Sequence, residues 1–97
     1  MARPPKSAFG HRVAKAFGTL LKEYRTKARL PVQKLATKSG VDRKYIYQLE
    51  KGTSQPTLEI LFRLTAALDL DSTKIVTKIR SRLARTSRKA NPRRPSQ

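Results

Sequence analysis

The chain has no cysteine and no tryptophan, one histidine, and only six acidic residues among 97. Without cysteine there is neither a disulfide framework nor a thiolate metal site. His11 stands alone, so a metal-bound histidine would lack partners and an exposed histidine is expected. The six acids are scattered and the four glycines form no phosphate-cradling run. No paired-carboxylate, nucleophile–base or metal-ligand spacing appears, so no enzyme activity and no cofactor are expected. No apolar run approaches the roughly 20 residues of a bilayer span. The N-terminus has no apolar signal core. A reducing, cytoplasmic, nucleic-acid-containing setting fits these absences.

Positive charge is what the chain has in excess. Lys and Arg number 23, for a net charge of +17, and residues 17–70 hold only +5 of it. The surplus therefore sits at the two ends, and a polyanionic partner, nucleic acid first, is the simplest inference. Apolar residues make up 37% of the chain and concentrate between Val13 and Leu83, enough for one small core.

In chain order, residues 1–10 contain Arg3, Pro4, Pro5 and Lys6. They read as a basic flexible arm, either a plain terminus or one that lies along a DNA backbone or in a minor groove. An ordered unit is expected over 11–84. Val13, Phe17, Leu20, Leu21, Tyr24 and Ala28 follow a helical period, so the first helix spans His11 to Arg29, with Gly18 weakening it by about 1 kcal/mol relative to alanine. Leu30-Pro31 breaks it. A second helix runs from Val32 to Ser39. Gly40 ends it through a positive φ, and Asp42 is placed to cap a third helix over Arg43 to Glu50 or Lys51. Gly52 closes the third. Thr57 caps a fourth, whose buried stripe is Leu58, Leu61, Leu64, Ala67 and Leu68. Asp71 or Ser72 caps a fifth over 72–84. Residues 85–97, rich in Arg, Ser and Pro, read as a basic disordered tail.

The pair over 32–51 reads as a helix-turn-helix with its recognition helix at about 42–51. Once Ile46 and Leu49 point inward, Arg43, Lys44 and Gln48 point outward, and such side chains hydrogen-bond base edges and phosphates. They could equally be a merely solvated face; the surrounding pattern favours contact. Tyr45 divides between core residue and phosphate ligand. Tyr47 reads as a partly exposed aromatic that could meet DNA or a partner.

From Phe17 to about Ile75 the chain resembles the five-helix DNA-binding domain of the phage repressor/Cro family, also called the XRE family. The resemblance rests on Phe17-Gly18, Arg25, Leu30, Leu35-Ala36, Ser39-Gly40-Val41, Ile46, Leu49-Glu50-Lys51-Gly52, Pro56-Thr57-Leu58-Glu59, Leu64, Ala67-Leu68 and Leu70. Asp42-Arg43-Lys44-Tyr45-Ile46 is further similar to the subgroup of restriction–modification controllers. The resemblance implies an all-α fold. It implies that Arg43, Lys44 and Gln48 read bases and that Tyr45, Lys51, Thr53 and Ser54 lie along the DNA backbone. It also implies that Arg25 and Glu50 form a structural ion pair. One departure is Pro31-Val32, which replaces the usual Ser-Gln and removes a phosphate-gripping amide.

Ile75, Val76, Ile79 and Leu83 stack along the fifth helix. They suit either packing on the domain or an isologous dimer seam. The expected function is a sequence-specific transcriptional regulator of double-stranded DNA, a homodimer on a two-fold symmetric operator. Rival readings are an antitoxin paired with a toxin, a nonspecific nucleic-acid or ribosome-associated protein, and a membrane-surface binder using the fifth helix. A second protein, toxin or co-regulator, is a further possible partner, and the tail could bind an acidic protein. No membrane association and no small-molecule ligand are expected.

Overall fold

A computed structural model describes residues 4–90, with side chains described as far as Arg85. Five α-helices follow one another: α1 (Ala8–Lys27), α2 (Val32–Ser39), α3 (Arg43–Lys51), α4 (Leu58–Ala67) and α5 (Ser72–Ala90). No strand occurs among the described residues. The all-α class and the helix count agree with the sequence reading.

The ends of the helices follow from local chemistry. Ser7 begins α1 by accepting from Gly10 N–H at 2.9 Å, and Thr57 begins α4 by accepting from Ile60 N–H at 3.1 Å; each satisfies a donor the helix cannot. Gly40 and Gly52 end α2 and α3 at φ 74° and 78°, where a side chain would be strained. The carbonyls left over at the end of α1 are taken by Leu30 and Arg29 N–H, bonding to Arg25 and Thr26. Leu70 and Asp69 close α4 in the same way. Both closures force a non-glycine residue into the left-handed region, Arg29 at φ 57° and Asp69 at φ 58°.

Three expectations are corrected here. The first helix starts at Ala8, inside the stretch read as an arm, because the Ser7 cap outweighs Gly10 as a weak helix former. Asp42 stands at the start of α3 but makes no side-chain capping bond; the boundary is set by its extended backbone instead. The fifth helix continues through Ala90, well into the stretch read as a disordered tail. The remainder of that tail, 91–97, lies outside the described residues, as does the beginning of the N-terminal arm.

The core joins all five helices. Phe17, Leu20, Leu21, Leu35, Ile46, Leu49, Leu64 and Ile75 are almost wholly buried, each removing on the order of 1.5–3 kcal/mol of apolar surface from water. Helix α1 lies across α3 and α5, α2 packs on α3 and α4, and α4 meets α5. Gly18 permits the α1–α3 crossing: a Cβ there would run into the Leu49 carbonyl oxygen and come within 3.0 Å of the Glu50 carbonyl oxygen. Because α1 is long, it also covers much of α5. Ile79 packs against the core cluster, Leu83 lines a groove with Ala16 and Thr19, and the Lys78 ammonium sits 5.7 Å from the Tyr24 ring centroid. Ile75, placed with a stripe suited to either domain packing or a dimer seam, is buried in the chain's own core at 1% exposure and is withdrawn from the seam.

Candidate nucleic-acid interface

Helices α2 and α3 are joined by Gly40-Val41-Asp42. Ser39 Oγ donates to Leu35 O at 2.7 Å and accepts from Val41 N–H at 3.2 Å, and Val41 is buried against the core. The turn is thus held from inside. With Tyr45, Ile46 and Leu49 buried, the helical period leaves Arg43, Lys44, Tyr47 and Lys51 on one exposed face of α3. Gln48, half-buried at its edge, lines a concavity with Lys44, Asp42 and Ile60. The three residues expected to read bases are therefore gathered on or beside one surface.

Arg43 does not swing alone. Its Nη1 donates to Gln33 Oε1 on α2 at 2.8 Å. This bond between exposed side chains limits the directions in which the guanidinium fork can point, and a guanidinium held in plane is the geometry that bidentate recognition of guanine requires.

The residues expected along the backbone divide in two. Lys51 and Thr53 are exposed, and Thr53 donates through Oγ1 to Gln48 O at 3.1 Å. Ser54 and Tyr45 are buried, at 3% and 5% exposure. Tyr45 donates its hydroxyl to Gln55 O at 2.9 Å, and the Gln55 side-chain amide donates to Gly10 O at 3.0 Å. Tyr45, read evenly between core residue and phosphate ligand, thus stands in the core and holds the α3–α4 loop through Gln55, and Ser54 is buried beside it.

Arg25 and Glu50 tie α1 to the recognition helix with two parallel bonds, Nε to Oε2 at 2.6 Å and Nη2 to Oε1 at 3.0 Å. Arg25 Nη1 also donates to Leu30 O at 3.1 Å. The hydrogen bond to Glu50 raises the Arg25 pKa above its ordinary value, against desolvation that lowers it. The pair carries no chemistry; it fixes the angle at which α3 is presented. Arg63 adds a tie from α4, donating through Nε to Glu59 at 2.9 Å and reaching Ser39 O at 3.4 Å.

Sequence reasoning passed over Gln33 and undervalued Tyr47. Tyr47 lies between Arg43, Lys44 and Lys51 on the outward face, 49% exposed; its spacing of three and four residues from them was the available signal. Gln33 lies ten residues from Arg43 on another helix, and nothing local announces the pairing.

A compact all-helical unit with a turn-linked pair and a cationic outer helix face is the architecture of helix-turn-helix DNA-binding regulators. A helix-turn-helix family model matches residues 21–75, more than half of the chain, and the chain belongs to the XRE family of helix-turn-helix DNA-binding transcriptional regulators. Among solved structures it is similar to the restriction-modification controller protein C.AhdI from Aeromonas hydrophila, at 34% identity, TM-score 0.62, covering 64% of this chain and 94% of that one. It shares its fold with the clp gene regulator ClgR from Corynebacterium glutamicum, at 22% identity, TM-score 0.66, over 84% and 96% of the two chains. The same holds for the restriction-modification controller protein C.Esp1396I, at 19% identity, TM-score 0.69, over 82% and 99%. No curated protein matches the sequence. Among the described residues no helix is long and apolar enough to cross a membrane.

Proposed function

We propose that this regulator reads specific DNA as a homodimer on a two-fold symmetric operator. In this reading α3 enters the major groove, Arg43, Lys44 and Gln48 contact base edges, and Lys51 and Thr53 contact phosphates. The observation that carries the reading is the Gln33–Arg43 bond on an exposed cationic helix face: a side chain held in a defined direction is suited to telling one base pair from another, which loose cations are not. For the dimer, support comes from α5. Val76 is 43% exposed on a helix otherwise crowded with cations, and Ile79 and Leu83 remain half-buried beside it. The seam thus centres on Val76, with Ile75 withdrawn into the core.

Selection of bound sequences from a randomised DNA pool, paired with sedimentation, tests this. The expected outcome is a symmetric motif with half-sites about 34 Å apart, one helical turn, and a dimer at micromolar concentration. Arg43→Ala is expected to cost roughly 1–3 kcal/mol on that motif and to relax preference at one base pair. Equal loss on the motif and on random DNA contradicts base reading by Arg43. A monomer both with and without DNA refutes the dimer.

A further inference from the structure

All six acidic residues lie between Glu23 and Asp71. The 22 residues before and the 26 after hold 14 of the 23 Lys and Arg and no acid at all. In the sequence these two stretches are as far apart as the chain allows. The fold brings them together: Arg12 and Lys15 of α1 and Arg82 of α5 line one groove, floored by Ala16, Thr19 and Leu83. Arg82 pairs with Glu23 at 3.3 Å. Glu50 and Glu59 are committed to Arg25 and Arg63. Arg12 and Lys15 are exposed, and the aromatic contact of Arg12 is the ring of Phe9, 5.5 Å from its centroid.

This cationic face adjoins the end of the recognition helix. The backbone of Lys15 lies so close to Gly52 that a Cβ on Gly52 would sit 3.2 Å from Lys15 Cα, and Gly52 directly follows Lys51. Lys6 lines a hollow with Pro4, Pro5 and Gln55. Gln55 is fixed on one side by Tyr45 of α3 and on the other by Gly10 of α1. Lys6 beside Gln55 and Lys15 beside Gly52 thus both adjoin the loop that exposes Thr53.

We propose that the N-terminal half of α1, with Lys6 just before it, is a second, sequence-independent DNA surface. It grips phosphates of the same duplex just outside the base pairs read by α3. The proposal rests on the reading of α3 as the recognition helix. Exposed cations without neighbouring acids neutralise phosphates and release counterions, which adds affinity and salt dependence but no base preference. Continuity with Lys51 and the α3–α4 loop favours the same duplex over a second one.

The test is the triple variant Lys6→Gln/Arg12→Gln/Lys15→Gln, at three exposed positions. Binding is measured across a salt series on two duplexes, one trimmed to the selected motif and one extended by a helical turn on each side. On the extended duplex the slope of log K against log salt should become shallower by about 2 to 3 per protomer, about 5 for the dimer, at about 0.9 per lost phosphate contact. On the trimmed duplex it should stay unchanged, and the selected sequence should stay the same. An unchanged slope on the extended duplex overturns the proposal. So does an equal loss on both duplexes, or a stoichiometry of two duplexes per protein unit that the variant abolishes. The double variant Lys6→Gln/Lys15→Gln repeats the test with Arg12 and Phe9 undisturbed, for a slope change of up to about 2 per protomer, about 4 for the dimer. Failure of the underlying reading shows separately, as a wild-type protein that selects no motif; the effect of duplex length is then still measurable on random DNA.

Discussion

Replacing Gly18 by alanine sets two physical arguments against each other. By helix propensity alone the change stabilises, by about 1 kcal/mol in a helix interior. By packing it does the opposite. The new methyl would collide with the Leu49 carbonyl oxygen, with the Glu50 carbonyl oxygen also within 3.0 Å. These are backbone atoms of α3 and cannot rotate aside, so α1 and α3 must move apart. That movement strains contacts among Phe17, Leu21 and Leu49, all at 1% exposure or less, and stretches the paired bonds of Arg25 to Glu50. Overpacking of this kind costs typically 1–3 kcal/mol and occasionally more; with an unyielding neighbour the upper part of that range applies. Net of the propensity gain, Gly18→Ala should destabilise by about 2 kcal/mol, which corresponds to a melting temperature lower by roughly 8–16 °C in a domain of this size. Urea and thermal unfolding followed by circular dichroism measure both quantities. An alanine variant as stable as the wild type, or more so, would refute the reasoning and mean that the crossing is looser than described.

Further expectations follow from other contacts. Glu50→Ala leaves Arg25 partly buried with only the Leu30 carbonyl, and should cost about 3 kcal/mol, near the lower end for breaking a buried pair; a double-mutant cycle with Arg25→Met should show coupling above about 1 kcal/mol, and additivity would deny the pair its structural role. Because the hydrogen bond to Glu50 raises the Arg25 pKa above its ordinary value, the stabilisation arising from that shift is fully present below that ordinary value and is lost only as pH rises through the folded value. Urea midpoints should therefore show no loss from Arg25 across neutral and mildly alkaline pH. Gln33→Ala should leave stability within about 0.5 kcal/mol, as for an exposed site, yet reduce discrimination at the base pair read by Arg43; competition binding that shows uniform loss on all sequences counts against it. Arg29→Gly should raise stability by roughly 0.5–1 kcal/mol, since glycine occupies the left-handed closure of α1 without a Cβ penalty; a lower urea midpoint would contradict this.

Much of the middle of the chain was legible because its signals are local. Gly40, Gly52 and Thr57 mark their helix ends by backbone and side-chain chemistry within four residues, and the bounds of α2 and α3 follow. The ends of the chain were less legible. Residues 85–90 lack large apolar side chains, so periodicity gave them nothing to bury, yet the helix continues from a segment that α1 supports. The cost of Gly18 was visible as a weak helix former, but its reason, a backbone 31 residues downstream, was not. Arg25 and Glu50, 25 residues apart, came from family resemblance and could not have come from spacing. Outward placement of Arg43 and Lys44 followed from the helical period. The burial of Ser54 did not, because a serine in a polar loop gives no sign of which way the loop will fold over it; for Tyr45 the core was one of two readings, and the helical period alone does not choose between them.

The groove shared by Arg12, Lys15 and Arg82 has a consequence for the free molecule. Two cation-rich helices, α5 with no acid and α1 with Glu23 alone, are held side by side, so the unbound fold works against its own repulsion, most strongly at low ionic strength where screening is weak. Added salt relieves that repulsion and should raise the melting temperature of the free protein, while the same salt weakens its hold on DNA. DNA itself acts as the counter-charge that the sequence omits, stabilising the protein it binds by mass action. Stability and affinity thus respond to ionic strength with opposite signs, and the molecule is sturdiest in dilute salt only when it is already on its target.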